Sequence, residues 1–163
     1  MNIRIELKKN VEKPSIITIY RDDGSSTWSK LHRGLETHDL AHYAVESTLG
    51  FTEAFYGIIN KGYTIADFEA PKAERKNAVR PENLHQEALI TEHLVNLLEV
   101  ELLNSGFNQN LLNDLKQILS QNKLEFPHNL GEQSLESIRK TYHKLYNAWL
   151  VLESSQTLVI HWE

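Results

Sequence analysis

Cysteine is absent from the 163 residues. That one absence removes disulfides, thiolate metal sites and a cysteine nucleophile together, and it suits a reducing compartment. Basic residues are scarce: 17 Lys and Arg stand against 22 Asp and Glu, for a net charge of −5. Gripping nucleic acid needs basic surface to displace counterions, so no nucleic-acid partner is expected. Long apolar runs are missing as well. No stretch approaches the ~20 apolar residues of a membrane span. The opening MNIRIELKKN alternates polar and apolar residues, where a secretion signal has a basic start and then an apolar run. The expectation is a cytoplasmic protein with no membrane partner. What it binds, and whether it forms a homo-oligomer, stay open at this point. None of the seven glycines falls into G-x-G-x-x-G, G-x-x-x-x-G-K-[ST] or G-x-S-x-G, which disfavours dinucleotide enzymes, P-loop ATPases and the commonest serine hydrolases.

What is present suffices for a packed core. Apolar residues make up 40% and charged residues 24% of the chain, a balance of globular rather than disordered sequences. The length suggests one domain over residues 1–163. Ile3, Ile5 and Leu7 alternate with Asn2, Arg4, Glu6 and Lys8, the period of two of a half-buried strand. SIITIYR at residues 15–21 is β-branched and reads as a second strand. Asp22-Asp23-Gly24-Ser25 makes a hairpin turn into a third strand at Thr27-Trp28-Ser29. Helical patterns follow. Thr37 reads as the cap of a first helix that Gly50 stops. Thr52 caps a second, short one ending near Gly62. Residues 70–83, polar and basic with two prolines, read as a loop that either connects or closes over a site. A long, mostly apolar helix opens on Pro81, Asn83 and Gln86 and stops at Ser105-Gly106. Two more helices cover residues 109–121 and 133–152. TLVIHW at residues 157–162 is expected to return as a strand on the N-terminal sheet. Strands, then helices, then one strand predict an α+β fold: an antiparallel meander joined by the C-terminal strand and packed on four or five helices.

The most informative stretch is THDLAHYAVE at residues 37–46. His38 and His42 are four residues apart, which places both imidazoles on one helical face with Cβ atoms roughly 5–6 Å apart. A divalent metal can bridge such a pair. At 100° per residue, Leu40, Ala41, Ala44, Val45 and Leu49 form the core-facing arc, and His38, His42 and Glu46 lie along its edge. Glu46 is thus the nearest third ligand, and His38 sits at the positive end of the helix dipole, which favours the neutral ring that ligation requires. His32 is a further ligand candidate from the preceding loop. On the long helix, His85, Glu92 and Glu99 recur every seven residues. That stripe either completes a metal site between helices or is simply the helix's solvent-facing line. His93, His128, His143 and His161 have no partner by spacing.

His38-Asp39-Leu40-Ala41-His42 resembles the H-E-x-x-H helix of zinc metalloproteases, with an aspartate, one methylene shorter, in the place of the glutamate. The resemblance spans five residues. It implies that His38 and His42 hold zinc and that Asp39 acts as general base. Two readings follow. In the first, the protein is a metal-assisted hydrolase with a divalent cofactor, zinc foremost, held by His38, His42 and Glu46, with Asp39 catalytic. In the second, it is a non-catalytic α+β interaction or regulatory module without metal, and His38 and His42 are ordinary edge residues.

Overall fold

The computed structural model describes residues 2–163. Strands β1 (Ile3–Lys8), β2 (Ser15–Arg21), β3 (Ser26–Leu31) and β4 (Thr157–Trp162) form one antiparallel sheet in the order β3-β2-β1-β4. The N-terminal meander therefore takes the last strand of the chain onto its β1 edge, as the sequence predicts. Register follows the apolar alternation: Ile5 faces Ile19 on one side and Ile160 on the other, and Ile3 faces Trp162. A one-residue slip would turn Ile3, Ile5 and Leu7 out to solvent, so the pattern fixes the pairing.

Helices α1 (Leu35–Leu49), α2 (Phe55–Asn60), α3 (Ile65–Glu69), α4 (Gln86–Leu103), α5 (Leu111–Gln121) and α6 (Glu132–Leu150) make up the rest of the fold and share one core with the apolar face of the sheet. Six helices are described rather than four or five; the additional element is the five-residue α3, closed by a Thr64–Asp67 capping box. Residues 70–83 contain three single-turn 3₁₀ segments. Buried residues from all four strands and from α1, α2, α3, α4, α5 and α6 join in one hydrophobic cluster.

α1 is central and packs against both α4 and α6. It starts three residues earlier than the Thr37 cap would place it. Gly34, at φ 98°, provides the entry turn; Glu36 accepts from the Gly34 amide at 2.8 Å, and the Thr37 hydroxyl donates to the Gly34 carbonyl at 2.8 Å. Thr37 therefore binds within the first turn. Gly50 ends the helix in the left-handed conformation, φ 66°, which only glycine adopts without cost. α4 is capped by His85, whose ring nitrogen accepts from the Glu87 amide at 3.3 Å. His85 is thus engaged at its own helix start, which separates it from Glu92 and Glu99.

α2 lies hard against the Thr52 backbone. A methyl group on Gly57 would stand 2.3 Å from the Thr52 carbonyl oxygen, and neither main-chain segment can yield without moving the helix. Gly57→Ala is expected to destabilise the protein by about 1–3 kcal/mol. In a chain of this size that lowers the melting temperature by roughly 2–12 °C, readable by circular dichroism; an unchanged transition would contradict this packing.

Candidate metal centre

One turn of α1 and one of α4 meet over a small polar group. His38 and His42 project from α1 toward Glu92 on α4, and one ligand atom from each lies within 4.8 Å of the others. The two Nε2 atoms are 3.1 Å apart. His42 Nε2 lies 3.1 Å from Glu92 Oε1, and His38 Nε2 lies 3.8 Å from Glu92 Oε2. Two zinc-bound nitrogens at about 2.0–2.1 Å with a tetrahedral angle stand about 3.3–3.4 Å apart, so the imidazoles converge at close to ligating separation.

Each histidine is held from behind by a carboxylate. His38 Nδ1 lies 3.3 Å from Glu99 Oε2, and His42 Nδ1 lies 3.1 Å from Glu46 Oε1. A carboxylate on Nδ1 fixes the ring and leaves the Nε2 lone pair for a cation, the usual outer arrangement of histidine–metal sites. The two rings stack obliquely with centroids 4.7 Å apart, and Phe55 flanks His42 at 6.0 Å.

Glu46 is the residue whose place differs most from the helical-wheel picture. Its side chain is 0% exposed, inside the core rather than at the edge. One oxygen faces His42 Nδ1; the other accepts from the Tyr56 amide at 2.9 Å. It joins α1 to the start of α2 and stands on the far side of His42 from Glu92. Glu92 occupies the ligand side that the sequence assigned to Glu46, while Glu99 stands behind His38. Their seven-residue recurrence marked them, but only packing shows which helix they face. Asp39 lies outside the converging group. Tyr56 donates its hydroxyl to the Asp39 backbone carbonyl at 3.0 Å, and the Asp39 carboxylate is hydrogen-bonded to neither histidine.

The electrostatics follow from this crowding. Burial opposes charge on His42, yet its bonds to Glu46 and Glu92 outweigh burial and push its pKa up to about 10. Burial pushes Glu46 up, against the pull of His42 and of the Tyr56 and Gly57 amides. The pair therefore keeps one proton strongly and takes a second more readily than a lone glutamate. For Glu92 burial also raises the pKa, but the bond and charge of His42 and the charges of His38 and His93 prevail, and the net shift is downward. Asp39 is only half-buried by surface, but its carboxyl sits within enough protein that desolvation raises it to about 7; His42 opposes the shift, and Glu36, Glu46 and Glu92 reinforce it.

Exposure grades across the group. The side chain of His42 is 6% exposed, that of His38 25% and that of Glu92 51%. An ion held there would have a protein-lined back and a solvent-facing front. Surface cavities of about 560 Å³ beside the start of α6 and about 550 Å³ between the β1–β2 turn and the end of α6 lie elsewhere. Among the described residues no helix is long and apolar enough to cross a membrane. No protein-family model matches the chain, and no curated protein or solved structure is detectably similar to it.

Proposed function

We propose that this protein binds one divalent cation, zinc foremost, through His38 Nε2, His42 Nε2 and Glu92, and uses it for metal-assisted hydrolysis. The observation behind this reading is the convergence of two Nε2 atoms at 3.1 Å, each imidazole backed by its own carboxylate. Two histidines and a carboxylate with an open fourth position make up the donor set of catalytic rather than structural zinc. Glu46 acts as the outer partner of His42. A cation at the solvent-facing position would supply a polarised water, and Asp39, beside His38 on α1, is the carboxylate assigned as its general base.

The same distances also serve a metal-free module, because a protonated His42 at 3.1 Å from both Glu46 and Glu92 is a complete charge network. Metal analysis of protein purified without a histidine tag separates the two readings. The proposal expects close to one zinc per chain, falling to trace levels in Glu92→Gln. Sub-stoichiometric metal that Glu92→Gln leaves unchanged would overturn it and favour the module. The catalytic half has its own check. With zinc loaded, Asp39→Asn should keep its metal while slowing hydrolysis across a panel of activated chromogenic esters by about 10²–10⁴-fold. Equal rates in the variant and the parent would remove Asp39 from the chemistry.

A further inference from the structure

The sheet has two edges, and the fold treats them differently. α3 packs along β3: the Ile65 amide donates to Thr27 Oγ1 at 3.0 Å, and the Ser29 hydroxyl donates to Glu69 Oε1 at 2.7 Å. β3 also carries Lys30, and a lysine is a common guard of an edge strand. At the opposite edge, β1 is the one element that runs along β4 among the described residues. From Thr157 to Trp162, β4 contains no Lys, Arg, Asp, Glu, Pro or Gly. It therefore lacks the charges and prolines that discourage pairing with another strand.

The register shows which backbone groups are open. The Lys9 amide donates to the Gln156 carbonyl at 2.9 Å, one position beyond the Lys8–Thr157 pair. In an antiparallel ladder, hydrogen-bonded and non-bonded pairs alternate. Leu158, Ile160 and Trp162 therefore bond to β1, and Thr157, Val159 and His161 turn their N–H and C=O toward the outer edge. The Tyr43 hydroxyl donates to the His161 carbonyl at 2.8 Å, as this alternation requires, and it covers the edge there. The open stretch is left with Thr157 and Val159 on either side of Leu158. Val159 is 47% exposed and Leu158 half-buried.

We infer that this edge is the contact between two copies of the chain, β4 pairing antiparallel with β4 of the second copy about a two-fold axis at Leu158. An open stretch centred on one residue is its own complement in that arrangement, which is why a second copy fits it. Thr157 of each copy meets Val159 of the other in two hydrogen-bonded pairs, about four backbone bonds in all. Leu158 meets Leu158 of the second copy in the non-bonded pair between them, where side chains approach most closely. No carboxylate, ammonium or guanidinium on the strand repels its twin. The two four-stranded sheets become one, Val159 is covered, and His161 stays with Tyr43. None of this involves the metal centre, so metal-free protein serves for the test.

Sedimentation velocity of the 163-residue chain at up to about 100 μM populates a dimer with a dissociation constant of about 10 μM. Wild type is expected to sediment as a dimer and Val159→Pro as a monomer. Proline removes the outward N–H of Val159 and leaves the bonds to β1 in place; circular dichroism checks that the variant is folded. The chain has no cysteine, so an introduced thiol is the sole one present. Leu158→Cys should give a disulfide-linked dimer on mild oxidation, because a non-bonded pair holds its Cα atoms at about 4.5 Å, within disulfide reach. Leu103→Cys, at an 83% exposed position on α4, should not. A wild type that stays monomeric over this range would overturn the proposal and leave the edge to a strand from another protein. A dimer that a folded Val159→Pro retains, or that Leu158→Cys does not link, would overturn it as well, because the copies would then meet elsewhere. Should Val159→Pro fail to fold, the Leu158→Cys result decides by itself.

Discussion

His42→Ala is expected to abolish the zinc-dependent rise in melting temperature. A ligand that binds only the folded state stabilises it by mass action, by about 2.7 kcal/mol at a free concentration 100 times the dissociation constant. For a chain of this size that corresponds to roughly 5–11 °C, which a chelator should reverse in the wild type and which should be missing from the variant. His42 has this leverage because its Nε2 meets both His38 and Glu92 at 3.1 Å, so its loss empties the middle of the group. The pH dependence has a definite sign. In the metal-free protein His42 keeps its proton up to about pH 10, whereas an unfolded histidine loses it near 6.5. The proton's contribution to stability is thus complete below about pH 6.5 and lost as pH rises through about 10. An ion at Nε2 must displace that proton. Zinc affinity should therefore rise with pH between about 6 and 9, and calorimetry in buffers of different ionisation enthalpy should show about one proton released per ion. Uptake without proton release would mean that the ion binds elsewhere.

The largest loss of stability is expected at Glu46. Its carboxylate is 0% exposed and meets the His42 ring and the Tyr56 and Gly57 amides. Glu46→Ala leaves a buried imidazole and two backbone amides without that acceptor and opens a cavity in the cluster between α1 and α2. Breaking a buried pair from one side costs about 3–5 kcal/mol, a fall of roughly 6–20 °C in melting temperature. Glu46→Gln keeps the volume and one acceptor oxygen, so most of the stability should survive. Zinc affinity in that variant should still fall about 10–100-fold, because a neutral amide cannot hold the His42 ring as a carboxylate does. Both substitutions are read in one experiment, melting with and without zinc. A Glu46→Ala protein as stable as wild type would show that the carboxylate is not buried against His42 and Tyr56.

The β-sheet was legible because its signals are local. Alternation of Ile3, Ile5 and Leu7 sets the buried face, Asp22-Asp23-Gly24-Ser25 makes the turn, and the apolar TLVIHW run has few places to go but a sheet edge. The histidine pair was legible for the same reason, since four residues on one helix fix a shared face. Helix starts were less so. Thr37 and Asn83 have the chemistry of caps, but Gly34 with Glu36 and the ring of His85 perform those tasks, and local composition does not rank such competitors.

The remainder of the site depends on tertiary packing. On a helical wheel Glu46 lies at the border of the apolar arc, and a border position becomes fully buried only because α2 closes over it with Gly57 against Thr52. Glu92 and Glu99 form a stripe on α4 whose sequence is equally consistent with facing water; the crossing with α1 turns that stripe toward His38 and His42. Nothing in the order of residues sets that crossing. It follows from the volumes of the apolar side chains that fill the space between the two helices.

X-ray absorption at the zinc edge, on stoichiometrically loaded wild-type protein, tests the central claim most directly. The account predicts nitrogen and oxygen neighbours at about 2.0–2.2 Å, with the outer-shell scattering of two imidazole rings. An all-oxygen shell without imidazole scattering would contradict it, because the ion would then be held by surface carboxylates and the meeting of His38 with His42 would be only a hydrogen-bonded contact between two helices.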